Sequence, residues 1–146
     1  MASIDDVRRL VGADHGLAVV CIARADGTVQ ASVVNAGVLD HPVTATPALA
    51  FVARGGTRKL AHLRRDPRAT VVLRSGWEWV AVEGAVDLAG HDDPLAEFGT
   101  DALPQLLRDV FIAAGGTHDD WDTYDTVMAE ERRTAVLVCP GRIYSN

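Results

Sequence analysis

The strongest constraint on the fold is a series of short apolar, β-rich runs separated by turn signals. Leu17 to Arg24 and Thr28 to Ala36 flank Asp26-Gly27, the dipeptide that best supports a tight hairpin because both positions tolerate positive φ. Ala48 to Ala53, Thr70 to Leu73, Trp79 to Leu88 and Thr134 to Val138 read as further strands, with Ile143-Tyr144 as a candidate extension past Pro140. Helical spacing predicts amphipathic helices over 4–12 and 58–65, with candidates at 94–98, 103–114 and 119–131. Ser3 with Asp6 has capping-box spacing, and Asp66-Pro67 ends the second helix because the residue before proline is pushed out of the α region. Pro42 and Pro47 bound a segment read as an irregular link. Short links between neighbouring strands favour antiparallel pairing. A small antiparallel sheet avoids exposed edges by closing on itself. The expectation is therefore a mainly β protein: one domain over residues 1–146, a six-stranded antiparallel barrel with peripheral helices.

Length and composition are consistent with that reading. The chain has 146 residues, enough for one core, with 48% hydrophobic and 23% charged residues. No apolar run approaches the roughly 20 residues of a membrane-spanning helix. The start of the chain lacks the pattern of a signal peptide, so a cytoplasmic protein is expected. Cys21 and Cys139 lie in apolar runs and read as buried, reduced core residues. Arginine supplies all the positive charge but Lys59, and alanine and valine are abundant, a bias of GC-rich bacterial genomes.

The net charge of −6 argues against nucleic-acid or anionic-membrane partners. Its distribution is uneven. Residues 54–74 hold Arg54, Arg58, Lys59, Arg64, Arg65, Arg68 and Arg74 against the single acid Asp66, and Lys59 is the only lysine of the chain. Within this stretch, Arg54-Gly55-Gly56-Thr57-Arg58-Lys59 carries a strand through two glycines into a helix with Thr57 as its N-cap. The first helical turn presents unpaired N–H groups and a positive dipole end, where cations are disfavoured. Two cations placed there point to an anion between them, and phosphate is the natural candidate. Neither a P-loop nor a dinucleotide fingerprint is present. Arg64, Arg65 and Arg68 read instead as a surface turn paired with Asp66 or with acids of the C-terminal half.

The segments Thr57-Arg58-Lys59, Leu63-Arg64-Arg65-Asp66-Pro67-Arg68, Trp77-Glu78-Trp79-Val80-Ala81-Val82-Glu83-Gly84, His118-Asp119-Asp120-Trp121-Asp122 and Glu131-Arg132-Arg133 together resemble the pyridoxamine 5′-phosphate oxidase-like split β-barrel superfamily. The likeness covers roughly residues 15–145 and is to the branch that uses the deazaflavin coenzyme F420, in particular its mycobacterial, actinobacterial members. It implies an FMN-binding-like split barrel and a homodimer with cofactor sites at the subunit interface. The implied activity is hydride transfer from the reduced deazaflavin to a small unsaturated organic acceptor. Thr57, Arg58 and Lys59 would hold the cofactor phosphate. Val33, Val34, Asn35, Phe51, Val52 and Ala53 would lie against the ring system, and Trp77 would line the pocket mouth. Thr57 stands where many relatives carry Ser, which keeps the hydroxyl, and His62 stands where Asn is usual. The segment from Asn35 to Pro42 departs from the pattern and leaves the acceptor's shape open. Flavin mononucleotide (FMN) is the alternative cofactor, and a non-catalytic F420- or flavin-binding protein the alternative role.

No acid, base or nucleophile constellation stands out, so no catalytic side chain is assigned; in such a site the cofactor carries the chemistry. His91-Asp92-Asp93 and His118-Asp119-Asp120 lack the H-x-x-x-H spacing of a helical metal site. Both read as helix starts, where acids suit the dipole, and no metal is expected. Trp79 and Trp121 read as packing residues, and Glu83 as the partner of an arginine.

Overall fold

A computed structural model describes all residues, Met1–Asn146. Helix α1 (Ile4–Ala13) precedes a hairpin of β1 (Leu17–Ala23) and β2 (Val29–Asn35). Strands β3 (Gly37–Asp40) and β4 (Pro47–Ala53) follow, then α2 (Arg58–Arg65), β5 (Arg68–Ser75) and β6 (Glu78–Ala89). Helices α3 (Leu103–Ala113) and α4 (Trp121–Glu130) lead into the last strand, β7 (Thr134–Ser145).

All strands join one antiparallel sheet in the order β2-β1-β5-β6-β7-β4-β3. The edge strands β2 and β3 are separated in sequence by Ala36 alone. Laid flat, seven strands about 4.8 Å apart would put those edges roughly 29 Å from each other. One linking residue spans only about 7 Å. The sheet must therefore curl until its edges meet, which makes it a barrel split between β2 and β3.

The barrel has seven strands rather than the expected six. The extra one, β3, falls where the two prolines suggested an irregular link. Ala36 is fully buried and its N–H donates to the Gly16 carbonyl at 2.8 Å. Gly37 then pairs with Ala50 and lies against Ala113 of α3, so closely that a Cβ would sit 2.2 Å from the Ala113 carbonyl carbon. Tertiary packing, not β-propensity, makes this strand. The expected helix at 94–98 does not form. Asp92 and Asp93 do not start a helix either: they pair with Arg132 and Arg64. Pro140 does not end the last strand, because a register shift at Glu83/Gly84 accommodates it.

The β1–β2 turn follows its sequence signal. Gly27 has φ +86°, and the Asp26 carboxylate accepts from both the Thr28 amide (3.0 Å) and the Thr28 hydroxyl (2.6 Å). At α1, the Ser3 amide donates to the Asp6 carboxylate at 2.9 Å.

Two apolar clusters organise the interior. The larger fills the barrel with Val20, Ile22, Phe51, Val71, Val80 and Val136, closed at one side by Val7 and Leu10 of α1 and at another by Leu60 and Leu63 of α2. The second lies outside the barrel wall, where Leu103, Leu106, Leu107 and Val110 of α3 cover Ala50, Ala135 and Leu137. Strand β4 is thus covered on both faces, which is why its sequence runs almost unbroken in apolar residues. Strand β1 alternates buried and more exposed positions, because its outer face is uncovered. No helix is long and apolar enough to cross a membrane. Cys21 and Cys139 are free thiols, and both are partly exposed on the outer barrel wall rather than buried in the core.

Candidate functional site

The double glycine after β4 sets the geometry of the site. A Cβ on Gly55 would stand 2.7 Å from the Arg132 carbonyl oxygen, and the Gly55 amide donates to the Glu131 carbonyl at 3.0 Å. The β4–α2 turn is thereby docked on the α4–β7 turn. Gly56 takes φ +79°, a left-handed conformation open to glycine at no steric cost. Thr57 is the N-cap of α2, as its sequence position predicts, but its hydroxyl caps nothing. Thr57 Oγ1 is buried and has no hydrogen-bond partner in the protein.

This corner opens on a groove of about 460 Å³. Strand β2 lines it with Val33, Val34 and Asn35, and β4 with Val52, Ala53 and Arg54. Thr57 and Lys59 close one end. Val110, Phe111 and Ala114 of α3, Tyr124 and Met128 of α4, and Arg133 complete the wall.

Seven of the ten residues expected from the sequence therefore share one wall. Phe51 is fully buried beneath it, its ring 5.6 Å from the Lys59 ammonium. Arg58 is exposed at the first position of α2 and does not line the groove. Trp77 stands 94% exposed at the β5–β6 turn, its carbonyl accepting from the Asn146 side-chain amide at 3.0 Å; it is not part of this groove.

The helical wall was not anticipated. Its residues follow ordinary helical spacing, so their sequence pattern announces packing and nothing more. Arg54 and Arg133 were also missed as site residues. The register Ala53↔Thr134 carries them to facing positions one step beyond the β4–β7 ladder.

Electrostatically the groove is a cationic pocket in an acidic chain. Burial pushes the Lys59 pKa below its ordinary value. Arg54 Nε lies 3.4 Å from Glu131 Oε2, and Arg133 Nη2 donates to Glu131 Oε1 at 3.2 Å. One carboxylate therefore serves two guanidiniums. Arg133 Nε is buried and donates to nothing in the protein. The Tyr124 hydroxyl donates to the Leu107 carbonyl at 3.0 Å, and burial raises its pKa. No carboxylate, histidine or cysteine lines the groove.

Other polar motifs resolve into structural contacts. Asp120 caps α4 by accepting from the Thr123 amide at 3.1 Å, and His118 Nδ1 accepts from the Asp120 amide. Arg64 and Asp93 form a two-bond pair at 2.6 and 2.7 Å; Arg68 pairs with Asp66; Arg65 donates to the Ala23 carbonyl. Asp92 gains from Arg132 a hydrogen bond that lowers its pKa.

The fold also gathers His41, Asp87 and Cys139, which the sequence does not connect. His41 Nδ1 accepts from the amides of Val43 (3.1 Å) and Thr44 (3.3 Å), so the ring proton sits on Nε2 and is donated to Asp87 at 2.8 Å. The nitrogen facing the cluster is thus a donor, not a free metal-binding lone pair. Burial and the neighbouring Asp87 raise the Cys139 pKa, which keeps its sulfur a thiol. The trio clasps the β3–β4 loop to the barrel wall.

No family model matches the chain. Solved structures share its fold over nearly its whole length. A conserved hypothetical protein of Mycobacterium tuberculosis is 18% identical with a TM-score of 0.69, over 99% of this chain and 84% of that one. A protein described as an F420 reductase is 13% identical with a TM-score of 0.61, over 94% of both chains. A pyridoxamine 5′-phosphate oxidase-related, FMN-binding protein of Nostoc punctiforme is 12% identical with a TM-score of 0.63, over 97% and 80%. The class is therefore defined at the level of fold: a split β-barrel of the pyridoxamine 5′-phosphate oxidase-like kind.

Proposed function

We propose that the groove binds a phosphate-bearing flavin-type cofactor, and that the protein is an oxidoreductase using coenzyme F420. One observation carries the proposal. Two buried polar atoms without partners, Thr57 Oγ1 and Arg133 Nε, both belong to residues that line this groove, next to Lys59. Leaving a buried polar group unpaired costs about 1–3 kcal/mol, and a bound oxyanion removes that cost. The residues fit such a group: a hydroxyl, an ammonium and two guanidiniums at one end, and an apolar wall of Val34, Val52, Val110 and Met128 to take a planar ring.

In this reading Thr57 and Lys59 hold the phosphate with the guanidiniums of Arg54 and Arg133, Arg58 stands outside the groove, and Val33, Val34, Asn35, Val52 and Ala53 flank the ring system. Phe51 supports it from below. Bound deazaflavin supplies hydride transfer to a small unsaturated acceptor. The protein binds the cofactor, aligns the acceptor and excludes water, which matches a lining with no carboxylate, histidine or cysteine.

The reading includes a homodimer. Leu17 (41% exposed), Val19 (40%) and Val33 (66%) form an apolar row on the outer faces of β1 and β2. Val33 also lines the groove, so a second copy covering this row would complete the site. Trp77 would reach the pocket mouth only from such a partner.

FMN is the second reading, since the solved neighbours carry descriptions naming either cofactor. Absorbance and titration decide between them. Protein that purifies with the double absorption band of oxidised flavin supports FMN. Colourless protein that quenches added F420 fluorescence and oxidises reduced F420 with an acceptor supports the proposal. F420 binding without turnover across an acceptor panel assigns a carrier, and binding of neither cofactor refutes both readings.

A further inference from the structure

Resting on the cofactor reading above, we infer that Arg133 is an anion ligand of the groove and that Glu131 is the internal carboxylate the ligand's anion competes with. The two residues thereby set how strongly the charged end of the cofactor counts in binding.

The argument begins with strand register. Ala53↔Thr134 is the last pair of the β4–β7 ladder, so Arg54 and Arg133 emerge side by side from neighbouring strands. The docked glycine turn brings Thr57 and Lys59 to the same groove. Arg133 thus comes from the far end of the chain to join a corner built by residues 54–59.

Its guanidinium is half engaged. Nη2 donates to both Glu131 carboxylate oxygens, at 3.2 and 3.3 Å, while the buried Nε donates to nothing. A guanidinium binds an oxyanion best through two parallel N–H donors. Glu131 takes one side of the fork and leaves the other free.

Glu131 is also shared. Its Oε2 lies 3.4 Å from Arg54 Nε, so one carboxylate neutralises one of two guanidiniums. Lys59 takes part in none of the protein's ion pairs. The corner therefore keeps about two uncompensated positive charges inside a chain of net charge −6. Such a corner suits a ligand end bearing two negative charges. An incoming oxyanion draws Arg54 and Arg133 from Glu131, so Glu131 lowers affinity for that end and leaves affinity for the ring system unchanged.

The test compares each cofactor with its counterpart lacking the phosphate: F420 with the tail-less deazaflavin, and FMN with riboflavin. The readout is the ratio of dissociation constants within the pair the wild-type protein binds. Arg133→Gln is expected to shrink the ratio about tenfold or more, Arg133→Lys to restore part of it, and Glu131→Gln to enlarge it severalfold. A purely structural role for Arg133 would move both members of a pair equally. A ratio within about twofold of wild type in Arg133→Gln overturns the inference and leaves the cofactor reading standing. A smaller ratio in Glu131→Gln overturns the competitor role. Wild-type protein that binds neither pair overturns the cofactor reading and this inference with it.

Discussion

Replacing Thr57 by valine separates a binding role from a folding role, because the two move in opposite directions. The substitution is nearly isosteric and deletes one hydroxyl. At most helix starts such a change loses a capping bond and about 1 kcal/mol. Here the hydroxyl caps nothing and is buried without a partner. Deleting it removes a desolvation cost of about 1–3 kcal/mol. At about 2.1 cal/mol/K per residue the unfolding entropy of a chain this size is roughly 0.3 kcal/mol/K, so each kcal/mol is about 3 °C in Tm. Thr57→Val without cofactor is therefore expected to melt about 3 °C or more above wild type in calorimetry. Affinity for F420 or FMN moves the other way: loss of one hydrogen bond to a charged oxygen, about 1.5 kcal/mol, weakens binding roughly tenfold by fluorescence titration. A variant that melts several degrees lower, with affinity unchanged, would show that the hydroxyl serves the fold and that the groove's orphaned atoms say nothing about a ligand.

Two further outcomes follow from the same structure. Burial lowers the Lys59 pKa from its ordinary 10.5, so in the folded protein this ammonium loses its proton before an ordinary lysine does. Without ligand, the cost of burying the charge is present below the folded pKa and is relieved as pH rises toward the unfolded value. Anion binding runs the other way: affinity for F420 or FMN should decline as pH rises through the lowered pKa. In Lys59→Arg that decline should vanish, since arginine stays charged, and an identical alkaline decline in that variant would exclude Lys59 as its origin. Glycine substitutions should split by environment. Gly37→Ala would push a methyl to 2.2 Å from the Ala113 backbone and should destabilise by about 2–3 kcal/mol in urea unfolding. Gly12→Ala in α1 meets nothing within 4 Å and should stabilise by about 0.5–1 kcal/mol; equal effects at both sites would contradict the α3–β3 packing.

The sequence by itself determined the features encoded within a few residues. The Asp26-Gly27 hairpin and the helix α2 from Arg58 to Arg65 with Thr57 as its N-cap were legible. Each depends on local backbone preference or on a periodicity readable in a short window. Part of the groove was legible for the same reason: the double glycine leads Thr57 and Lys59 into it as their spacing suggests, whereas Arg58, expected beside them, lies outside. Tertiary structure alone decided the rest. It made a strand of Gly37–Asp40 because Ala36 must bridge the two sheet edges, and it left 94–98 without a helix, with Glu97 at φ +65° and Asp92 and Asp93 paired to arginines far away in sequence. It also set Arg133 beside Arg54 and laid α3 and α4 along the groove. Those placements follow from barrel closure and ladder register, which are properties of the whole sheet. No spacing within a single segment encodes which strand a distant residue will face, so the orphaned Arg133 nitrogen emerges only when the barrel closes.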